Sequence, residues 1–334
     1  MSSVGDGFTW RDGERVVRFG RGALADAPGL LGEGYALLTT ERAAGRAPDV
    51  VERAAEVHHV GPGFVDELAG ELLEHIGAPL VVALGGGRII DTAKAVAAAK
   101  GVRAAAIPTT LSAAEMTAVH RRAAGADASA AGVRPAVVIN DPALSASQPP
   151  AELAASTTNA LAHAVEAPLT TLASPVPTLA AHRSARLIGG VFGDGAIDHN
   201  EAMRDDLALA ALLSGYAIDG AWYGLSHICS QTLVRVGGAR HGPANAVVLP
   251  HTAAALRRRA PAAMEALDGA AGEPVEALAT RLADLAGAAR IRDLGVSQSD
   301  LDACAAAAAS RPELDLTPPR AVHAELRAIY AAAW

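Results

Sequence analysis

The apolar run Pro79-Leu80-Val81-Val82-Ala83-Leu84 ends in three consecutive glycines, Gly85-Gly86-Gly87, and the chain continues through Arg88-Ile89-Ile90-Asp91-Thr92-Ala93-Lys94 into an alanine-rich helical stretch. A strand that ends in glycines and turns into a helix offers bare backbone N–H groups at the helix N-terminus, where the macrodipole also favours negative charge. A pyrophosphate fits such a turn. A tight strand-to-helix turn without a ligand satisfies the same pattern, so the remainder of the chain has to decide between them.

The first 150 residues alternate short apolar runs with helical patterns. Segments 35–40, 78–84, 102–108 and 136–142 read as strands, and 21–32, 63–76 and 90–99 as helices. That alternation predicts a mostly parallel sheet with helical crossovers, whose ligands bind at the carboxyl ends of the strands. Gly85 and Thr109 fall at such ends. After Pro149-Pro150 the pattern changes to long Ala/Leu-rich helical stretches broken by Gly and Pro. The expected organisation is an α/β dinucleotide-binding domain over 1–150 and an all-α domain over 151–334. Segment 120–135 reads as a loop or a ragged hairpin.

A chain of 334 residues has room for two such domains. The net charge of −8, with no long basic block, argues against nucleic acid as a partner. Arg257-Arg258-Arg259 reads as a solvated helix end. Cys229 and Cys304 make no disulfide framework, which points to a reducing, cytoplasmic setting. Met1-Ser2-Ser3-Val4-Gly5-Asp6 shows no secretory pattern, and no uninterrupted apolar stretch approaches the roughly 20 residues of a membrane span. A soluble protein with no membrane partner is expected.

Three stretches of the second half bring histidines into company. In Asn159-Ala160-Leu161-Ala162-His163-Ala164-Val165-Glu166, the residues Asn159, His163 and Glu166 stand at i, i+4 and i+7, one polar stripe of a helix. Gly224-Leu225-Ser226-His227 is the second stretch. Arg240-His241-Gly242-Pro243-Ala244-Asn245, leading to Leu249-Pro250-His251, is the third. His163, His227 and His241 have the chemistry of a metal or proton-transfer site, but spacing alone does not bring them together.

Taken in order, these motifs resemble the iron-containing alcohol dehydrogenase superfamily and, within it, the maleylacetate reductase branch. The resemblance runs through most of the chain. It includes Phe19-Gly20-Arg21-Gly22, the glycine triplet with Asp91 and Lys94, Ile107-Pro108-Thr109-Thr110, Asn140-Asp141-Pro142, the Asn159 to Glu166 helix, His227, and His241 through His251. It implies a Rossmann-like parallel-sheet domain followed by a helical one, the dehydroquinate synthase-like arrangement. A homodimer is implied as well. The implied cofactor is NADH or NADPH, bound through Gly85, Gly86, Gly87, Arg88, Asp91, Thr109, Thr110 and Thr40. The implied catalytic set is His163, His227, His241 and Asn159, which are also the positions that hold iron or zinc in metal-dependent members.

Departures from the pattern shape the expectation. Asn159 stands where metal-dependent members carry aspartate, and a neutral amide lowers the affinity for a hard cation. The maleylacetate reductase branch carries asparagine there too and works without a tightly held metal. Arg88 replaces a serine beside the glycines, and Ala113-Ala114 replace a Gly-Ser pair. Thr39-Thr40-Glu41-Arg42, after the second strand, leaves NADH and NADPH both open. The expected activity is reduction of a small, anionic oxo or enoyl dicarboxylate by NAD(P)H, with protonated imidazoles opposing the developing oxyanion and titrating as a coupled set. Two alternatives stand beside it: an iron- or zinc-dependent alcohol dehydrogenase, and a diverged relative without redox activity. His120-Arg121-Arg122 could bind a substrate carboxylate or be a solvated basic cluster.

Overall fold

The computed structural model describes residues 7–146, 148–193 and 200–334, and of His241 the backbone only. The reading of Met1–Asp6 therefore lies outside the described residues. The chain divides into two units, Met1–Ser147 with Asn200–Ala208, and Gln148–His199 with Leu209–Trp334.

The first unit is built on a seven-stranded sheet of β1 (Phe8–Asp12), β2 (Arg15–Phe19), β3 (Tyr35–Thr39), β4 (Ala54–His59), β5 (Leu80–Gly85), β6 (Arg103–Pro108) and β7 (Val137–Asn140), in the order β1-β2-β7-β6-β5-β3-β4. Only β1 runs antiparallel to its neighbour. The helices are α1 (Ala27–Leu31), α2 (Glu41–Ala44), α3 (Pro48–Glu52), α4 (Val65–Leu72), α5 (Gly87–Lys100) and α6 (Pro142–Ser145).

Successive strand residues point to opposite faces, and here both faces are apolar. Ala36, Leu38, Val81, Ala83, Ala104 and Ala106 pack against Ile90, Ala93, Val96 and Ala97 of α5. Leu37, Val82, Leu84, Ala105, Ile107 and Ile139 pack with Ala27 and Leu31 of α1 and Val50 of α3. Strands covered on both sides read as continuous apolar runs, which is why β3, β5, β6 and β7 coincide with the expected segments. β1, β2 and β4 were not anticipated. β4 lies at the sheet edge, where Glu56 and His58 on one face are half-buried and Val57 and His59 on the other are exposed.

From β3 the chain moves outward to β4, whereas β5, β6 and β7 are added on the other side. The order therefore reverses between β3 and β5, where Thr39 pairs with Leu84. Ligands of open parallel sheets bind at such a reversal, beyond the carboxyl ends of the strands. The glycine triplet sits there.

Segment 120–135 carries no regular element. His120 staples it: its Nδ1 meets the Arg121 carbonyl at 2.8 Å, and Val133 N donates to its Nε2 at 3.2 Å. With one ring nitrogen donating and the other accepting, the ring is neutral. Burial lowers its pKa in the same sense, so His120 is not part of a solvated cationic cluster.

The second unit is helical: α7 (Pro150–Glu166), α8 (Pro175–Phe192), α9 (Glu201–Ala221), α10 (Leu225–Arg235), α11 (His241–Arg259), α12 (Pro261–Ala271), α13 (Val275–Leu285), α14 (Asp300–Ala309) and α15 (His323–Ala333). Pro150, Pro175 and Pro261 sit in the first turns of their helices, where a missing N–H is harmless. The expected 151–334 domain differs from the observed division at Asn200–Ala208, which cluster with the first unit. There Arg21 bonds the Asp205 carboxylate at 3.0 Å and the Glu201 carbonyl at 2.9 Å. Among the described residues no helix is long and apolar enough to cross a membrane.

α7 packs against α8, α10, α11 and α13, and almost every residue from Leu153 to Glu166 is buried. Polar groups on such a helix must find partners inside the protein. The partners of Asn159, His163 and Glu166 define the candidate site.

Candidate functional site

In the first unit, the earliest return bond of α5 runs from Ile90 N to Gly86 O, at 3.1 Å. The N–H groups of Gly87, Arg88 and Ile89 precede it and have no partner within the helix. A Cβ on Gly86 would lie 3.0 Å from the Thr110 methyl, and one on Gly87 would lie 2.9 Å from the Ser112 Cβ. The glycines thus let the loop after β6 lie against the helix start, and Thr109 N donates to Gly85 O at 3.0 Å. Arg88 is exposed in the first turn.

Lys94 fastens the same loop. Its fully buried ammonium bonds Asp91 at 2.8 Å, Ala114 O at 2.9 Å, Val119 O at 2.8 Å and the Thr117 hydroxyl at 3.2 Å. Asp91 is therefore an anchor for Lys94. The Thr40 hydroxyl accepts from Ala43 N at 3.2 Å and caps α2. Ala113, where the resemblance expects glycine, is held in the left-handed region at φ 62°, at a steric cost of roughly 1–2 kcal/mol for a residue with a Cβ. The bare N–H groups, the close-packed glycines and the reversal of strand order suit a dinucleotide pyrophosphate.

In the second unit, Glu166 is wholly buried in the last turn of α7. Its Oε1 accepts from Gly224 N at 3.1 Å and Ser226 N at 2.7 Å, and its Oε2 from His227 N at 3.3 Å and from His227 Nδ1. These donors are the first N–H groups of α10. Gly224, the N-cap, has no side chain to cap them, so the carboxylate of another helix does so, at the positive end of the dipole. The same bond fixes the His227 tautomer with the proton on Nδ1. Nε2 is then the ring nitrogen left without a proton, buried and without a hydrogen-bond partner among the described residues.

The His163 ring stacks on the His227 ring, with centroids 4.8 Å apart and planes at 14°. Tyr223 lies on His227 as well, at 5.7 Å and 46°, and its hydroxyl meets Glu313 and Arg311 at 3.2 Å each. Asn159 completes the group. Its Nδ2 faces His163 Nε2 at 3.4 Å, and its Oδ1 accepts from Asn245 Nδ2 at 2.6 Å. His163, His227 and Asn159 thus come together, while the side chain of His241, the fourth expected member, lies outside the described residues. Sequence reasoning did not foresee the contacts of Asn245 and Tyr223. The position of Asn245 one turn into the helix that His241 opens was the available signal. His251 is half-buried in α11, and burial lowers its pKa.

Among the described side chains no carboxylate is free to face the two histidines. Asn159 is neutral and its oxygen is committed to Asn245, while the nearby carboxylate, Glu166, is committed to α10 and to His227 Nδ1. What the described side chains offer is imidazole and amide nitrogen, suited to orienting an oxygen and moving a proton.

The profile of the "Fe-containing alcohol dehydrogenase family, C-terminal" matches residues 153–334, and that of "Iron-containing alcohol dehydrogenase" matches residues 39–149. The chain belongs to the iron-containing alcohol dehydrogenase family. This membership makes it an oxidoreductase. Maleylacetate reductase 1 of Rhodococcus opacus is 31% identical over 279 residues, 82% of this chain and 78% of that protein. The 1,3-propanediol dehydrogenase of Klebsiella pneumoniae is 34% identical over 216 residues, 60% of this chain and 55% of that protein. The crystal structure of maleylacetate reductase from Agrobacterium tumefaciens superposes with a TM-score of 0.83 at 27% identity, covering 98% of this chain and 97% of that one. The family fold, an N-terminal α/β part followed by a helical part, is the one described above.

Proposed function

We propose that this family member is an NAD(P)H-dependent reductase of a small anionic oxo or enoyl dicarboxylate, of the maleylacetate kind, working without a tightly held metal. The observation that carries the reading is the Asn159–Asn245 amide pair at 2.6 Å beside the His163–His227 stack. It supports a site with a neutral amide at the position where the resemblance expects the carboxylate of metal-dependent members. When bound, a nicotinamide dinucleotide would supply hydride to the electron-poor carbon of the substrate, leaving the displaced electron pair on its oxygen. Gly86, Gly87 and the start of α5 would hold its pyrophosphate, with Arg88 adding charge. His163 and Asn159 orient that oxygen, and His227, entering the step with a proton on both ring nitrogens, passes the one on Nε2 to the product. Glu166 keeps the other proton on Nδ1, so the ring is left as the neutral Nδ1–H tautomer. An anionic substrate matches a site made of nitrogen donors. The buried thiols of Cys229 and Cys304 agree with a cytoplasmic setting.

The test follows oxidation of NADH and of NADPH with maleylacetate, before and after exhaustive chelation. Turnover that survives chelation supports the reading. Activity lost on chelation and restored by iron or zinc, with oxidation of a diol, favours instead the metal-dependent chemistry of the propanediol dehydrogenase kind. No turnover and no change in nicotinamide fluorescence would mean a relative that has lost its cofactor.

A further inference from the structure

We infer that Asn245 is a positioning residue that sets the polarity of Asn159, turning its carbonyl away from His163 and its N–H side towards it, and that this lock is what keeps divalent cations out of the histidine site.

Asn159 is almost fully buried in α7, and Asn245 in the second turn of α11. An amide has one oxygen and one nitrogen end, so fixing one end fixes the other. Asn245 Nδ2 donates to Asn159 Oδ1 at 2.6 Å, which leaves Asn159 Nδ2 towards His163 Nε2 at 3.4 Å. For the oxygen to turn to a cation beside His163, the short bond must break, and unless the Asn245 amide turns as well its buried N–H is left facing nitrogen. Stranding a buried donor in this way is costly. The N–H side of Asn159 is itself repelled by a cation. Glu166 does not compensate, because both of its oxygens are occupied at the start of α10. Two residues 86 apart in sequence thus decide together whether the site presents an oxygen ligand or a hydrogen-bond donor.

Reversal of the lock tests it. In Asn245→Asp the new carboxylate cannot donate. The Asn159 amide then turns its N–H side to Asp and its oxygen to His163. In Asn159→Asp one carboxylate oxygen keeps the bond from Asn245, and the other faces His163. Co²⁺ is titrated into each metal-stripped protein without substrate or dinucleotide, and its visible ligand-field absorption and dissociation constant are read. We expect Co²⁺ to bind Asn245→Asp at least tenfold tighter, and Asn159→Asp at least 100-fold tighter, than the unaltered chain. Asn245→Ala, which frees the Asn159 oxygen without adding charge, is expected to gain about fivefold and serves if Asn245→Asp fails to fold. Thermal midpoints are measured alongside, because a merely structural role for Asn245 lowers the midpoint and leaves Co²⁺ affinity unmoved. Unmoved affinity in the folded Asn245 variants overturns the inference. So does an unaltered chain that binds Co²⁺ as tightly as Asn159→Asp. The inference rests on the metal-free reading above, but its readout needs no turnover. Failure of the protein to reduce maleylacetate would sink the substrate assignment and leave this one standing.

Discussion

The Glu166 carboxylate at the end of α7 receives the ring Nδ1 of His227 and three backbone N–H groups from the start of α10. One buried charge thereby caps a helix and orients an imidazole, so its removal has two separable effects. In Glu166→Gln, an amide N–H is forced against the N–H groups or the ring, and the charge that complements the dipole is lost. We expect a loss of about 2 kcal/mol in folding stability, in line with hydrogen bonds to a charged group. The fall in kcat should be roughly 10- to 100-fold, in line with loss of the partner that orients a histidine. Urea unfolding and steady-state kinetics check the two arms. An unchanged kcat in the less stable protein would reduce Glu166 to a cap.

Lys94 joins α5 to the loop that covers the glycine turn, through a carboxylate, two carbonyls and a hydroxyl. Lys94→Met keeps the aliphatic bulk but leaves the buried Ala114 carbonyl and Thr117 hydroxyl, and the part-exposed Asp91 carboxylate, without their cation, at a cost of about 1–3 kcal/mol for each buried group stranded. Thermal unfolding should show a lowered midpoint. Dinucleotide affinity, followed by NADH fluorescence, should fall at least tenfold because the loop is released.

Stability should fall with rising pH through the Glu115 carboxyl. Burial pushes this group up to about 7 from an ordinary 4.5, outweighing the pull of Arg15 and Lys94, while Asp91 adds to the rise. Asn140 Nδ2 bonds one oxygen at 3.4 Å. The folded protein therefore binds this proton more tightly than the unfolded chain does. Its contribution is complete below about pH 4.5 and is lost as pH rises through about 7. Between pH 5 and pH 8 the loss amounts to about 2–3 kcal/mol. Glu115→Gln has no proton to lose, so its urea-unfolding free energy should change less over that interval by about this amount. Parallel pH profiles of the two proteins would refute it.

Arg88 is exposed beside the open N–H groups of α5, where it can meet a phosphate without supporting the fold. Arg88→Ala should weaken NADH binding by about tenfold, the equivalent of one charge-assisted bond at about 1.4 kcal/mol. The thermal midpoint should not move. Equal affinity of both proteins for NADH would show that the guanidinium points elsewhere.

Local features were legible along the chain. β3, β5, β6 and β7 carry unbroken apolar runs because both faces of the sheet are covered, and the glycine triplet marks the start of α5. The i, i+4, i+7 spacing sets Asn159, His163 and Glu166 on one side of α7 because a helix repeats every 3.6 residues. The edge strands were illegible, since β4 alternates around Glu56 and His58 with only one side covered. The partners on α7 were equally hidden: Asn245 for Asn159, the Gly224–His227 turn for Glu166, and the ring of His227 for His163.

By itself the sequence determined the alternation of strands and helices, the glycine turn and an amide at position 159 where the resemblance expects a carboxylate, because periodicity and residue chemistry act over a few residues. Only the tertiary structure decided which end of the Asn159 amide faces His163 and which nitrogen of His227 is bonded to Glu166. Both depend on buried hydrogen bonds to residues 86 and 61 positions away, and only the packing of α7 against α10 and α11 brings those partners into reach.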